Sequence, residues 1–225
     1  MQPRFSKQRN RALTLTEVVV VVAVLVVLAA LFLPALAAAK RKSSKLNCSS
    51  NIKQIVIAFR LWEGDNNDKY PMAVSVTNGG AMELVATGNV AACFWVMSNE
   101  LSTPKILLCP EDPHRFYATN FSTGFSDANI SYFLNPDAAE SYPQMVMLGD
   151  DNLVVDGKPV PPGILNLRAN QTIGWTKDRH HGAGNIGLAD GSAQQVTSKE
   201  LQQANREALN SASVSGSTTN RWLIP

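Results

Sequence analysis

A chain of 225 residues with 20 Lys and Arg against 18 Asp and Glu carries a formal net charge of only +2. Four of the basic residues (Arg4, Lys7, Arg9, Arg11) fall in the first twelve positions, which hold no acid; the other 213 residues carry 16 basic and 18 acidic side chains. That mildly acidic body lacks the positive field a sequence-independent nucleic-acid binder needs, and three cysteines (Cys48, Cys93, Cys109) exclude a disulfide-dense small fold.

In chain order, the first strong signal is Val18–Ala39, 22 residues without a charged or polar side chain. As a helix it would span roughly 33 Å, enough for about 30 Å of hydrocarbon. Three readings compete. A cleaved secretory signal would use the small residues Ala37, Ala38 and Ala39, but its apolar core is ordinarily ~7–15 residues and Glu17 stands at its mouth. A plain anchor is the second reading; with four basic residues on either side of the run, charge counting leaves its orientation tied. The third comes from residues 11–18, Arg-Ala-Leu-Thr-Leu-Thr-Glu-Val. A basic leader, a small residue, an apolar residue and a Glu five positions into a long apolar helix resemble the signal of type IV pilins and type II secretion pseudopilins.

That resemblance implies cleavage by a prepilin peptidase between Ala12 and Leu13, N-methylation of Leu13, and retention of the apolar run. Glu17 is then the fifth mature residue and Pro34 the twenty-second, both assembly positions in the family. The chain departs from the usual Gly before the cut and Phe after it. A carboxylate at the edge of hydrocarbon is expensive; the amine of a neighbouring subunit would offset it, or Glu17 is solvated among headgroups. Pro34 removes a backbone donor and predicts a kink or the end of the span.

Lys40–Glu63 contains no Pro or Gly, and Ile52, Ile55, Val56, Phe59 and Trp62 recur at helical spacing on one face, with Lys53, Arg60 and Glu63 assigned elsewhere. The pattern predicts one long helix, membrane half plus amphipathic half, or two helices broken at Lys40–Ser44. Gly64 and the polar cluster after it end the pattern.

Beyond Pro71, turn residues separate short apolar runs. Ile106–Cys109, Ile130–Leu134, Met145–Leu148, Thr172–Thr176, Asn185–Ala189 and Ala193–Thr197 are predicted strands, Phe94–Met97 is strand or short helix, and Ser198–Ser211 is a helix. The tail Trp222–Pro225 docks or frays. The predicted fold is α+β: a long N-terminal α-helix packed on a C-terminal antiparallel β-sheet domain. Asp190-Gly191 predicts a two-residue hairpin. With His180 it completes His-x9-Asp-Gly, which resembles the C-terminal element of a prepilin-like group. Cys48–Trp62, Lys69-Tyr70-Pro71, Leu108–Asp112, Ser131–Asn135 and Gly149-Asp150 are similar to that group too.

Other motifs weigh less. Gly182–Gly187 spells GxGxxG, but a hairpin strand rather than a helix is predicted there, against nucleotide binding. His180, His181, His114, Asp178 and Asp190 are conceivable metal ligands, yet neighbouring histidines on an extended chain point apart; His180 is assigned a structural bond to the Asp190 turn or a backbone carbonyl. Asp150, Asp151 and Asp156 offer the oxygen ligands Ca²⁺ takes and form the candidate calcium loop, without EF-hand spacing, so that a solvated turn is preferred. A Cys93–Cys109 bridge would close a loop of about 15 residues and contribute ~3 kcal/mol, with Cys48 as a small buried hydrophobe. No Ser/His/Asp or Cys/His context suggests an enzyme.

The predicted organisation is a leader at 1–12, a transmembrane and polymerisation helix at 13–39, its amphipathic continuation at 40–64, and an extracytoplasmic domain at 65–225 with the hairpin at 180–191. The resemblance implies a single-pass protein of the bacterial inner membrane, N-terminus cytoplasmic and body periplasmic. Its implied partners are other pilin-like subunits, prepilin peptidase and the secretion assembly platform, with no nucleic acid and no resident cofactor. The competing expectation is a membrane-anchored binding or enzymatic domain that never polymerises.

Overall fold

The computed structural model describes residues 14–122, 124–214 and 220–225; the leader and the Ala12–Leu13 junction lie outside the described residues. Helix α1 spans Leu15–Gly64 and runs unbroken through Pro34 and through Lys40–Ser44, so neither predicted stop ends it. The chain forms two compact units that meet between Ser43 and Ser44 in sequence.

In the first unit α1 opens on a reciprocal cap. The Glu17 carboxylate accepts from Thr14 N (2.7 Å) and Thr14 Oγ1 (2.8 Å), and Thr14 Oγ1 accepts from Glu17 N (3.3 Å). This Thr-x-x-Glu box satisfies backbone donors that the first helical turn leaves orphaned. Every side chain described from Thr14 to Ser43 is exposed.

In the second unit the rest of α1 buries the predicted stripe: Ile52, Ile55, Val56 and Phe59 are fully covered and Trp62 nearly so. Glu63 corrects the pattern. It lies on the covered side, its carboxylate 2.9 Å from Arg60 Nη1, and Arg60 Nη2 reaches Glu140 at 2.8 Å. The ion pair lets an acid finish an apolar face.

Two short helices follow. In α2 (Val90–Val96) the Asn89 side chain accepts from Ala92 N at 2.8 Å as N-cap; α3 is Ser98–Leu101. Phe94–Met97 is thus helix and turn rather than strand. Ile106–Cys109 is not a strand either: Pro104 opens a 3₁₀ turn, Pro104–Leu107, which cannot enter a ladder.

The strands are β1 (Tyr132–Leu134), β2 (Val146–Asp150), β3 (Leu153–Val155), β4 (Lys158–Pro159), β5 (Gly163–Leu167), β6 (Ile173–Trp175), β7 (Ala183–Leu188) and β8 (Ala193–Thr197). After α4 (Ser198–Val214) comes β9 (Asn220–Ile224). A six-stranded sheet has the order β5-β9-β1-β2-β7-β8 and a three-stranded one β4-β3-β6, every pairing antiparallel. The α+β expectation holds, and the tail docks between β5 and β1.

Side chains alternate between two cores. Tyr132 and Leu134 join Ile52, Val56 and Phe59 in one, whereas Phe133 joins Trp175, Ile186, Leu201 and Trp222 in the other. The Phe133 and Trp222 rings stack at 4.1 Å with planes 4° apart. The larger sheet is therefore covered on both faces, and the second core was not anticipated. Gly187 keeps the β7 backbone close to α1: a Cβ there would stand 3.0 Å from Ile52 Cγ2 and nearer still to Val56. The GxGxxG run thus lies on a strand and its flanking turn, as predicted, and serves packing.

Both Asp-Gly pairs make hairpins, in different ways. Asp156-Gly157 is the two-residue turn, joining Val155 to Lys158, with φ of 49° and 78°. At the predicted site the loop has three residues, Ala189–Gly191, between Leu188 and Ser192, closed by Leu188 N to Ser192 O (2.9 Å) and Gly191 at φ 91°. That is the longer hairpin type, with a left-handed residue last.

Candidate functional site

Two regions carry chemistry. In the first unit, fifteen large apolar side chains between Leu15 and Leu36 are exposed, from 43% at Leu28 to 80% at Leu15. The helix has a window of mean hydropathy 3.2, none of it buried, and is long and apolar enough to cross a membrane. Covering these side chains is worth on the order of 20 kcal/mol. Pro34 is exposed within the same stretch.

The second region lies inside the body. Cys48, on the buried stripe of α1, is disulfide-bonded to Cys109, Cα to Cα 5.2 Å, across 61 positions of sequence. The predicted Cys93–Cys109 pairing is therefore corrected. Asn51 Nδ2 donates to Leu108 O at 3.1 Å and lays the Cys109 segment alongside α1. Cys93 faces the core from α2 as a buried free thiol, its Sγ 3.7 Å from Asn89 O. Burial, and then the charge of Asp127, push that thiol up to about 12.

Beside the disulfide sits the imidazole of His180. Its Nε2 is 3.3 Å from Cys109 Sγ and 3.4 Å from Asp150 Oδ2; its Nδ1 is 3.0 Å from Glu111 Oε2. Glu111 also accepts from His180 N at 3.1 Å, and Asp150 Oδ2 accepts from Asn185 N and Nδ2 at 2.7 and 2.9 Å. Cys48, Cys109, His180 and Asp150 are all fully buried, within 1%. The backbone works to put the ring there. His180, His181 and Gly182 adopt φ of 51°, 57° and 81° in succession, and left-handed geometry costs a residue with a Cβ roughly 1–2 kcal/mol. This turn sends His180 inward and leaves His181 exposed.

The expected bond from His180 to the Asp190 turn is corrected by the same geometry. The two residues flank β7, and six strand residues alone separate its ends by about 20 Å. Asp190 and Gly191 sit in the three-residue turn after Leu188. Ser192 N donates to Asp190 Oδ1 at 2.8 Å, and Lys53 Nζ donates to Gly191 O at 2.6 Å, tying the hairpin tip to α1.

The candidate calcium residues are not brought together. Asp150 is committed to Asn185 and His180. Asp151 pairs with both Arg115 and Arg179. Asp156 sits in its own hairpin turn, accepting from Thr172 N at 2.8 Å. Two guanidinium groups already neutralise Asp151, which removes the reason to bind a cation there.

Arg179 Nη1 also contacts Asp112 Oδ2 at 2.9 Å, and Ser131 Oγ donates to the same oxygen at 2.8 Å. Burial opposes the Arg179 charge; Asp151, Asp150 and Asp112 outweigh it, so its pKa lies above the ordinary value. The network forms one wall of a 210 Å³ hollow that also takes His114 and Asp178. Glu111, Arg115 and Arg179 were missed as site residues. Glu111 fell inside the Leu108–Asp112 segment noted for its resemblance, whereas nothing but nearness to Cys109 and His180 marked Arg115 and Arg179.

Known protein families, curated proteins and solved structures offer no match to this chain. What the chain shows of the resemblance is therefore coarse: a long N-terminal apolar helix leading to an antiparallel sheet, consistent with a pilin-like fold.

Proposed function

We propose that this chain is a structural, non-enzymatic pilin-like subunit, a pseudopilin of a type II secretion or type IV pilus-like system. In this reading prepilin peptidase removes residues 1–12 and methylates Leu13. The apolar half of α1 then anchors the protein in the inner membrane with the body on the periplasmic side, and like helices pack side by side. Glu17 sets the register and Pro34 adapts the helix to its neighbours. The observation that carries the reading is the uncovered helix from Leu15 to Leu36, apolar on every side. A core helix shows a stripe; a helix apolar all round calls for lipid or other helices about it.

One observation favours the plain-anchor alternative. Glu17 already has both Thr14 donors as partners within its own helix, so its carboxylate does not require a second subunit. N-terminal mass spectrometry of the membrane fraction separates the readings. Methyl-Leu13 supports the pilin-like subunit, intact Met1 the plain anchor, and Lys40 a released periplasmic protein. Photocrosslinking through the helix tests assembly. Glu17→Ala is expected to insert normally and lose the ladder of crosslinked subunits; an unchanged ladder would refute the role of Glu17.

A further inference from the structure

A structural disulfide needs no imidazole and no carboxylates around it, and burying such groups is unfavourable unless they have partners. Here His180 lies against the Cys109 sulfur, with Asp150 and Glu111 on its two ring nitrogens. Asp150 is completely buried, and its Oδ1 has no hydrogen-bond partner. The histidine is delivered by two consecutive left-handed residues that carry a Cβ. The surroundings thus hold more ligand chemistry than the bridge uses.

We propose that in its dithiol form this centre is a closed site for a thiophilic divalent cation of the zinc class, held by Cys48 Sγ, Cys109 Sγ and His180 Nε2, with the Asp150 carboxylate, whose Oδ1 is unengaged, as the fourth ligand. The distances fit. Metal bonds of about 2.3 Å to sulfur and 2.0–2.2 Å to nitrogen and oxygen give a tetrahedron with S–N edges of about 3.6 Å and N–O edges of about 3.4 Å. The observed Cys109 Sγ–His180 Nε2 and His180 Nε2–Asp150 Oδ2 separations are 3.3 and 3.4 Å. The ligand atoms of Cys48, Cys109 and His180 all lie within 4.8 Å of one another. The sulfurs have to open from bonded contact to an edge of about 3.8 Å, and the Asp150 carboxylate, which lies against the imidazole, has to close on them.

Glu111 Oε2, 3.0 Å from His180 Nδ1, occupies the place of the outer carboxylate that orients a metal-bound histidine and raises its basicity. Two thiolates and one carboxylate leave the filled site with one net negative charge. Arg179 lies close enough to interact with Asp150 and opposes that charge.

Oxidation and metal uptake compete for the same two sulfurs. An external dithiol breaks the Sγ–Sγ bond, supplies two electrons and becomes a disulfide itself. The two protein thiols give up two protons as the cation binds. The site lies wholly within Ser44–Pro225 and does not depend on what covers the apolar helix.

The test uses the full chain in detergent micelles, reduced with a phosphine, desalted without oxygen and titrated with Co²⁺ and then Zn²⁺. One Co²⁺ per chain is expected, with thiolate charge-transfer absorption, tetrahedral d–d bands, and displacement by Zn²⁺. Cys93→Ala should leave this unchanged. His180→Ala and Asp150→Asn should abolish the tetrahedral spectrum, and Glu111→Gln should weaken binding about 10–100-fold. A reduced chain that keeps its far-UV circular dichroism yet takes up no Co²⁺ overturns the proposal. So does a Co²⁺ spectrum indifferent to His180. If reduction unfolds the body, Zn²⁺ is expected to restore its circular dichroism, and failure to do so is equally fatal.

Discussion

Removing the Cys48–Cys109 bridge tests whether α1 is clamped to the body covalently. The bridge closes a loop of 61 positions. In the chain-entropy account, a cross-link over that length removes about 14 cal/mol/K from the unfolded ensemble, or about 4 kcal/mol at 25 °C. The body has a large share of its stability at stake, because domains are ordinarily stable by only ~5–15 kcal/mol. The Cys48→Ala/Cys109→Ala protein, unfolded in urea beside the oxidised wild type, should lose about 4 kcal/mol. With a slope of roughly 2 kcal/mol/M its midpoint falls by about 2 M. The energy alone does not identify the partners, since a Cys93–Cys109 bridge would be worth about 3 kcal/mol on the same account. A non-reducing peptide map does. It should return Cys48 linked to Cys109, with Cys93 as the one alkylatable thiol after denaturation. A map joining Cys93 to Cys109, or a double variant as stable as the wild type, would refute the clamp.

Three further outcomes are expected. Gly187→Ala pushes a Cβ against Ile52 and Val56 and should cost about 2 kcal/mol, whereas Gly64→Ala, with nothing within 4 Å, should stay within about 0.5 kcal/mol; equal effects in urea unfolding would disprove the close approach of β7 to α1. Burial, opposed by Arg60, raises the Glu63 carboxyl above its ordinary 4.5, so the native state keeps a proton that the unfolded chain releases. Stability should therefore fall as pH rises through the window from 4.5 to the native value, and Glu63→Gln should flatten that slope in a pH series of melts. Cys93, buried and with its thiol raised to about 12, should resist iodoacetamide in the folded oxidised protein at pH 8; prompt labelling would show that α2 opens.

How much was legible in the sequence follows from the range of each interaction. The α1 stripe was readable because helical packing repeats every three or four residues, and Ile52, Ile55, Val56, Phe59 and Trp62 obey that period. Glu63 broke the reading because its partner Arg60, one turn away, is itself held by Glu140, far along the chain. β7 and β8 were readable from a strong turn between two apolar runs. β3, β4 and β5 were not: β4 is two exposed residues, and β5 alternates partly exposed with exposed positions and covers only Leu167 fully. β9 was hidden for a different reason. Its pairing with β1 and β5 brings together segments more than fifty residues apart, and no local pattern announces such a neighbour.

The same distinction explains the site. His-x9-Asp-Gly invites the idea that its ends meet, but nine residues are enough to traverse a strand, and the motif spans β7 from end to end. Its histidine finds partners from α1, the Cys109 segment and β2 instead: Cys109 is 71 positions away, Glu111 69 and Cys48 132. Three cysteines allow three pairings, and the sequence reading joined Cys93 to Cys109 because both lie in the body, leaving Cys48 on the helix as a small buried hydrophobe. Packing decides otherwise. Asn51 draws the Cys109 segment onto α1, and the sheet face that buries α1 carries Asp150 and Asn185 at one edge of the same contact. Each of these acts through the others: His180 reaches the sulfurs only because β7 and β2 pair, and the sulfurs meet only because α1 seats on those strands through Gly187. A centre assembled by four separate segments is invisible to spacing, yet it reports directly on whether the body has folded.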